Sequence, residues 1–166
     1  GPENSFAENA STLSDDAYEA GGLRPASSLA DVPHSPRLRY AWGDVLAALE
    51  AAPADELDRR TVHYTNPIDG SELLPTHDSH VVALSKDNTI PKSRSMANAV
   101  CVVLEGKGVS QIGNVTHEWG PKDIFTTPHW TWATHTATTD RAIVVVISDK
   151  QVMKKLNLYR AEVAND

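Results

Sequence analysis

The strongest constraint in this sequence is a change of hydrophobic period near residue 60. Upstream of it, Ala41 to Ala52 (AWGDVLAALEAA) places Trp42, Val45, Leu46 and Leu49 at i, i+3, i+4 and i+7. That spacing predicts a short amphipathic helix, closed by Pro53 and packed on a core. Downstream the chain breaks into short β-rich runs: Val62 to Thr65, His80 to Leu84, Ala99 to Leu104, Val109 to Ile112, Val115 to Trp119, Asp123 to Thr127, Thr131 to Thr136 and Ala142 to Ile147. Turn formers separate them, among them Asn66-Pro67, Asp69-Gly70, Gly106-Lys107-Gly108 and Gly113-Asn114. Short strands at this close spacing predict an all-β, antiparallel sandwich or barrel, not a βαβ fold. Lys150 to Leu156 (KQVMKKL) predicts one or two closing helical turns, and no internal repeat is present.

A chain of 166 residues suits one domain with a real core and falls short of two. Its charge is unevenly spread. Residues 1–36 hold six acids and one base, a net −5 of the chain's −7, with few large apolar residues and much Ser, Ala, Asn and Pro. This composition predicts a linker or N-terminal arm over 1–36 and a folded domain over 37–166. Gly1-Pro2, with no Met before it, reads as a protease-cleavage scar and so as a piece of a longer chain.

Several function classes are excluded. A net-acidic chain without a Lys/Arg cluster lacks the electrostatic footprint of a nucleic-acid binder. Even the longest apolar runs, Ala142 to Ile147 among them, are far short of the roughly 20 residues of a membrane span, and no signal-peptide pattern opens the chain. These features lead us to expect a cytoplasmic protein. Cys101, the single cysteine, permits neither an intrachain disulfide nor a four-Cys zinc site, and inside an apolar strand it reads as an inert thiol. Gly106-Lys107-Gly108 joins two strands instead of opening a helix, so it reads as a tight hairpin turn, not a phosphate loop. No nucleophile elbow or HExxH site is present; His117-Glu118 lacks the second His. Trp42, Trp119, Trp130 and Trp132 have few basic neighbours and read as packing residues.

The order of several short motifs resembles the cupin superfamily, and more narrowly the C-terminal cupin of gentisate 1,2-dioxygenase-type bicupins. They are Leu38-Arg39-Tyr40-Ala41-Trp42, Tyr64-Thr65-Asn66-Pro67 with Gly70, Leu74-Pro75-Thr76, Val103-Leu104-Glu105-Gly106-Lys107-Gly108, Trp119, Asp123-Ile124-Phe125, Pro128-His129-Trp130 and Leu156-Asn157-Leu158-Tyr159-Arg160. Gly21-Gly22-Leu23-Arg24-Pro25 is similar to the connection between the two cupins. The resemblance implies a cupin-type antiparallel β-barrel (jelly roll) with a short N-terminal and a short C-terminal helix. It also implies a parent enzyme that cleaves hydroxylated aromatic acids with O₂ at Fe(II).

In the family pattern the iron ligands are a His-x-His, a Glu a few residues on, and a later His. Carried onto this chain, those positions fall on Lys92, Arg94, Ala99 and Ala133, none of which is a ligand. The resemblance therefore implies no catalytic residue, no metal and no cofactor in this segment, with Fe(II) held by a missing N-terminal cupin. That half, and further copies of the chain in a homo-oligomer, are the implied partners; the segment itself would serve structure. A metal held by His135 with His77 or His80 is the minor alternative. Lys92, Arg94 and His135 form a candidate pocket: two cations pointing into a barrel would need neutralising, and a small aromatic carboxylate could do it. The competing reading sends Lys92 and Arg94 outward or pairs them with acids. A stand-alone, non-catalytic cupin that binds a small anion is the alternative function.

Overall fold

The computed structural model describes residues 39–164. The arm expected over 1–36 lies outside them, as do Leu38 and the motif at 21–25. The helix spans Trp42–Ala51. Ten strands follow: β1 (Arg60–His63), β2 (Asp78–Ser85), β3 (Ser93–Ser95), β4 (Ala99–Glu105), β5 (Gly108–Ile112), β6 (Val115–Trp119), β7 (Ile124–Thr127), β8 (Ala133–Ala137), β9 (Arg141–Ser148) and β10 (Ala161–Val163). A second helix, Lys150–Lys155, sits between β9 and β10.

The strands form two five-stranded antiparallel sheets, ordered β1-β2-β9-β4-β7 and β10-β3-β8-β5-β6. This is the jelly-roll arrangement expected of a cupin. Between the sheets, Leu84, Cys101, Val103, Trp119, Ala137, Ala142 and Val144 make one buried cluster. On the outer face of the first sheet, Val45 and Leu49 of the helix pack on Val81, Ala83 and Ile143. The central strand β2 and the first half of β9 are thus covered on both sides, which is why Ala142, Ile143 and Val144 are apolar and buried in succession instead of alternating. Fully burying a side chain such as Leu49, 2% exposed, stabilises by about 1.5–3 kcal/mol.

Two strands have no local pattern that predicts them. β3 (Ser-Arg-Ser) and β10 (Ala-Glu-Val) are three residues each and pair with one another, a non-local match that no local period encodes. The Gly106-Lys107-Gly108 expectation also needs correcting. The turn is tight, with Gly106 at φ +77°, but it is not a hairpin: β4 lies in one sheet and β5 in the other. Both glycines are sterically required. A Cβ on Gly106 would strike the Arg141 carbonyl, and one on Gly108 the Trp119 indole. Among the described residues no helix is long and apolar enough to cross a membrane.

Candidate functional site

A cavity of about 340 Å³ opens between the two sheets. Alternation decides its lining: Asp78, His80, Val82 and Leu84 point in from β2, Val144, Val146 and Ser148 from β9, and Phe125 and Thr127 from β7. Ser95, Ala97, Ala99 and Cys101 continue the wall across the β3–β4 junction, and His135 enters from β8. Arg59, Lys150 and Tyr159 line the cavity as well, so among the described residues its Lys and Arg side chains are Arg59 and Lys150.

The candidate pocket of Lys92, Arg94 and His135 is not assembled. His135 lines the cavity; Lys92 and Arg94 do not. The inward parity runs through Ser95, Ala97 and Ala99, which puts Arg94 on the opposite face. There it stands directly across from Glu162 of β10 and makes an ion pair of 2.7 Å. Its guanidinium also stacks on two indoles, 4.4 Å from the Trp130 ring centroid and 4.5 Å from that of Trp132. Lys92 is exposed, with its ammonium 5.9 Å from the Trp132 ring centroid. The acid that neutralises Arg94 thus comes from the strand that sequence patterning missed. Of the four positions the resemblance assigns to iron ligands, Ala99 presents a methyl to the cavity, Ala133 is buried as a methyl, and the two cations stand outside. These residues do not fit a ferrous ion.

His135 is held in a chain of hydrogen bonds. Ser110, directly across from it on β5, is fully buried; its hydroxyl accepts from the Trp119 indole N–H at 2.8 Å and meets His135 Nδ1 at 2.6 Å. If the hydroxyl proton goes to Nδ1, the ring keeps its own proton on Nε2. The Phe125 ring lies 5.9 Å from both Trp119 and His135, centroid to centroid. Burial in this apolar setting pushes the His135 pKa down to about 4. Burial likewise pushes the Cys101 thiol up to about 11, keeping it protonated.

A second polar cluster stands where β1 and β2 meet. His63 and His80 are directly opposed in the ladder, and Asp78 is two residues before His80 on the same face. His80 Nδ1 is 3.0 Å from Asp78 Oδ2, and His63 Nδ1 is 3.3 Å from Asp78 Oδ1. Burial lowers the His80 pKa against the pull of the Asp78 charge. Burial raises the Asp78 pKa, but His80, His63 and Lys150 outweigh it and hold the carboxyl below its ordinary value. His77, the alternative to His80 as a metal partner of His135, lies just outside β2, is exposed, and bonds Thr76 Oγ1 at 2.8 Å. The missed signal was the Asp78-x-His80 alternation, which needed the register of β1 to acquire its third member.

No family model matches the chain. It is 31% identical over 135 residues to a 5-aminosalicylate 1,2-dioxygenase of Comamonas, a match covering 78% of this chain and 36% of that protein. It is 34% identical over 130 residues to gentisate 1,2 dioxygenase 1 of Aquipseudomonas alcaligenes, covering 76% and 37%. The chain therefore spans well under half the length of the curated relatives it matches. Among solved structures, a salicylate 1,2-dioxygenase from Pseudoaminobacter salicylatoxidans with gentisate superimposes with a TM-score of 0.75 at 23% identity, over 92% of this chain and 44% of that one.

Proposed function

From homology to gentisate and 5-aminosalicylate 1,2-dioxygenases over little more than a third of their length, we propose that this segment is the C-terminal cupin half of a ring-cleaving dioxygenase for hydroxylated aromatic acids. The carrying observation is that partial coverage: most of each relative lies outside the match. Iron and oxygen chemistry are assigned to the companion half, because the corresponding positions here offer two methyls and two outward cations. This half's own part is to complete the enzyme's fold and to provide an association surface.

One face supports that part. The helix covers the outer side of the first sheet over β1, β2 and β9, and leaves the β9-β4-β7 side open. There Val100 is 41% exposed, Ile124 66% and Ile147 41%. Val100 is paired with Ile147, and Val102 with both Ile124 and Val145, so the exposed side chains form one continuous patch. We assign it to the companion cupin half, since that is the chain the relatives carry beyond this match.

Oxygen uptake with gentisate, 5-aminosalicylate and salicylate tests the reading. Supplied with Fe(II), the full-length polypeptide turns over at least one of them, and this segment alone turns over none. Turnover by the segment alone, or a native polypeptide lacking a second cupin, overturns it. Val100→Glu with Ile124→Lys in the full-length protein should weaken the contact between halves; unchanged resistance to proteolysis between them would remove the patch from the account.

A further inference from the structure

We propose that His63, Asp78 and His80 form a binding site for a divalent transition-metal ion such as Zn²⁺ or Co²⁺, on the β1–β2 ladder. Three features of the backbone build it. The antiparallel register sets His63 directly opposite His80. The two-residue period of β2 puts Asp78 on the same face as His80. The ligand atoms of all three then lie within 4.8 Å of one another, with two imidazole nitrogens 3.0 and 3.3 Å from the carboxylate oxygens between them. Donors about 2.0–2.1 Å from a tetrahedral ion stand about 3.3–3.4 Å apart, so small rotations of these side chains bring them onto one centre.

The donor set selects the ion. Two imidazoles and one carboxylate favour borderline ions such as Zn²⁺ and Co²⁺ over Mg²⁺ and Ca²⁺, which take oxygen ligands. Ligation through Nδ1 leaves Nε2 of each imidazole to carry the ring proton. Asp78, 4% exposed, is fixed by burial, whereas the His63 side chain is about half exposed and leaves the remaining coordination positions to water. The neighbouring cation is Lys150, whose charge acts on both Asp78 and His80. Its ammonium lies 5.2 Å from the Tyr159 ring centroid, on a flexible stem. Arg59, also on the cavity wall, is tied to Asp55 at 2.7 Å. The ion would bridge β1, an edge strand, to β2 and so resist its fraying.

The test is titration of tag-free, chelator-stripped protein with Co²⁺, followed by its visible d–d absorption and by thermal melting, and then displacement with Zn²⁺. One equivalent is expected to bind and to raise the melting temperature. His63→Ala, at a half-exposed position, and Asp78→Asn should each weaken binding more than about tenfold. His77→Ala and His135→Gln should leave it unchanged, and Lys150→Met should tighten it. Failure of the folded wild type to bind Co²⁺ or Zn²⁺ stoichiometrically overturns the proposal. So does binding that survives both His63→Ala and Asp78→Asn, or that is lost with His77→Ala.

Discussion

Lowering the pH from 7 to 4 should charge a histidine that the fold keeps neutral, and the cost can be worked out. His135 titrates near 6.5 in an unfolded chain and at about 4 in the fold, because burial beside Phe125 disfavours the imidazolium. Below pH 6.5 the unfolded chain therefore binds a proton that the folded one does not. The stability tied to neutral His135 is complete above pH 6.5 and declines as the pH falls toward 4, below which this group adds no further slope. At about 1.4 kcal/mol per pH unit, the full interval sets a ceiling of about 3 kcal/mol. That is a large share of the roughly 5–15 kcal/mol that holds a typical domain together.

Urea denaturation at closely spaced pH values measures the slope. His135→Gln removes the titrating group and keeps an acceptor for the Ser110 hydroxyl, so its loss between pH 7 and 4 should be smaller by up to about 3 kcal/mol. His80, also lowered, contributes in the same direction to both proteins and cancels in the difference. The Asp78 carboxyl, held below 3.8, loses its stabilising effect only at more acid pH. Identical pH slopes for wild type and His135→Gln would refute the reasoning, as would an imidazole NMR titration of His135 at its ordinary value.

Four further outcomes are expected. Gly108→Ala, whose methyl would enter the Trp119 ring, should lower stability in urea by about 1–3 kcal/mol. Gly43→Ala, in open space on the helix, should instead raise it by roughly 0.5–1 kcal/mol. Cys101 should resist a thiol reagent at pH 8 in the folded protein and react at once in denaturant, since it is buried with its pKa pushed up to about 11. Arg94→Ala should cost about 1–2 kcal/mol through loss of the double indole stack, with Arg94→Lys recovering only part, since the ammonium lacks the planar face.

Local sequence carried the architecture. The helix at Trp42–Ala51 and the long strands were legible because burial imposes a period on the residues themselves: 3.6 where one helical face packs, and unbroken apolarity where the first half of β9 is covered on both sides. The motifs and their order also pointed to a cupin half, and homology and fold agree at that level. Tertiary structure decided what each polar side chain faces. Counting along the chain leaves Lys92 and Arg94 either inward or outward and paired with acids; the structure runs inward parity through Ser95 and Ala97 and pairs Arg94 with an acid. The partner of Arg94, Glu162, lies 68 residues away on a three-residue strand. The His63–Asp78–His80 cluster depends in the same way on a register between two strands separated by a loop. A strand's own residues fix only which of them share a face. Which face is buried, and what stands opposite, is fixed by pairing with distant chain, and that information is spread over the whole fold.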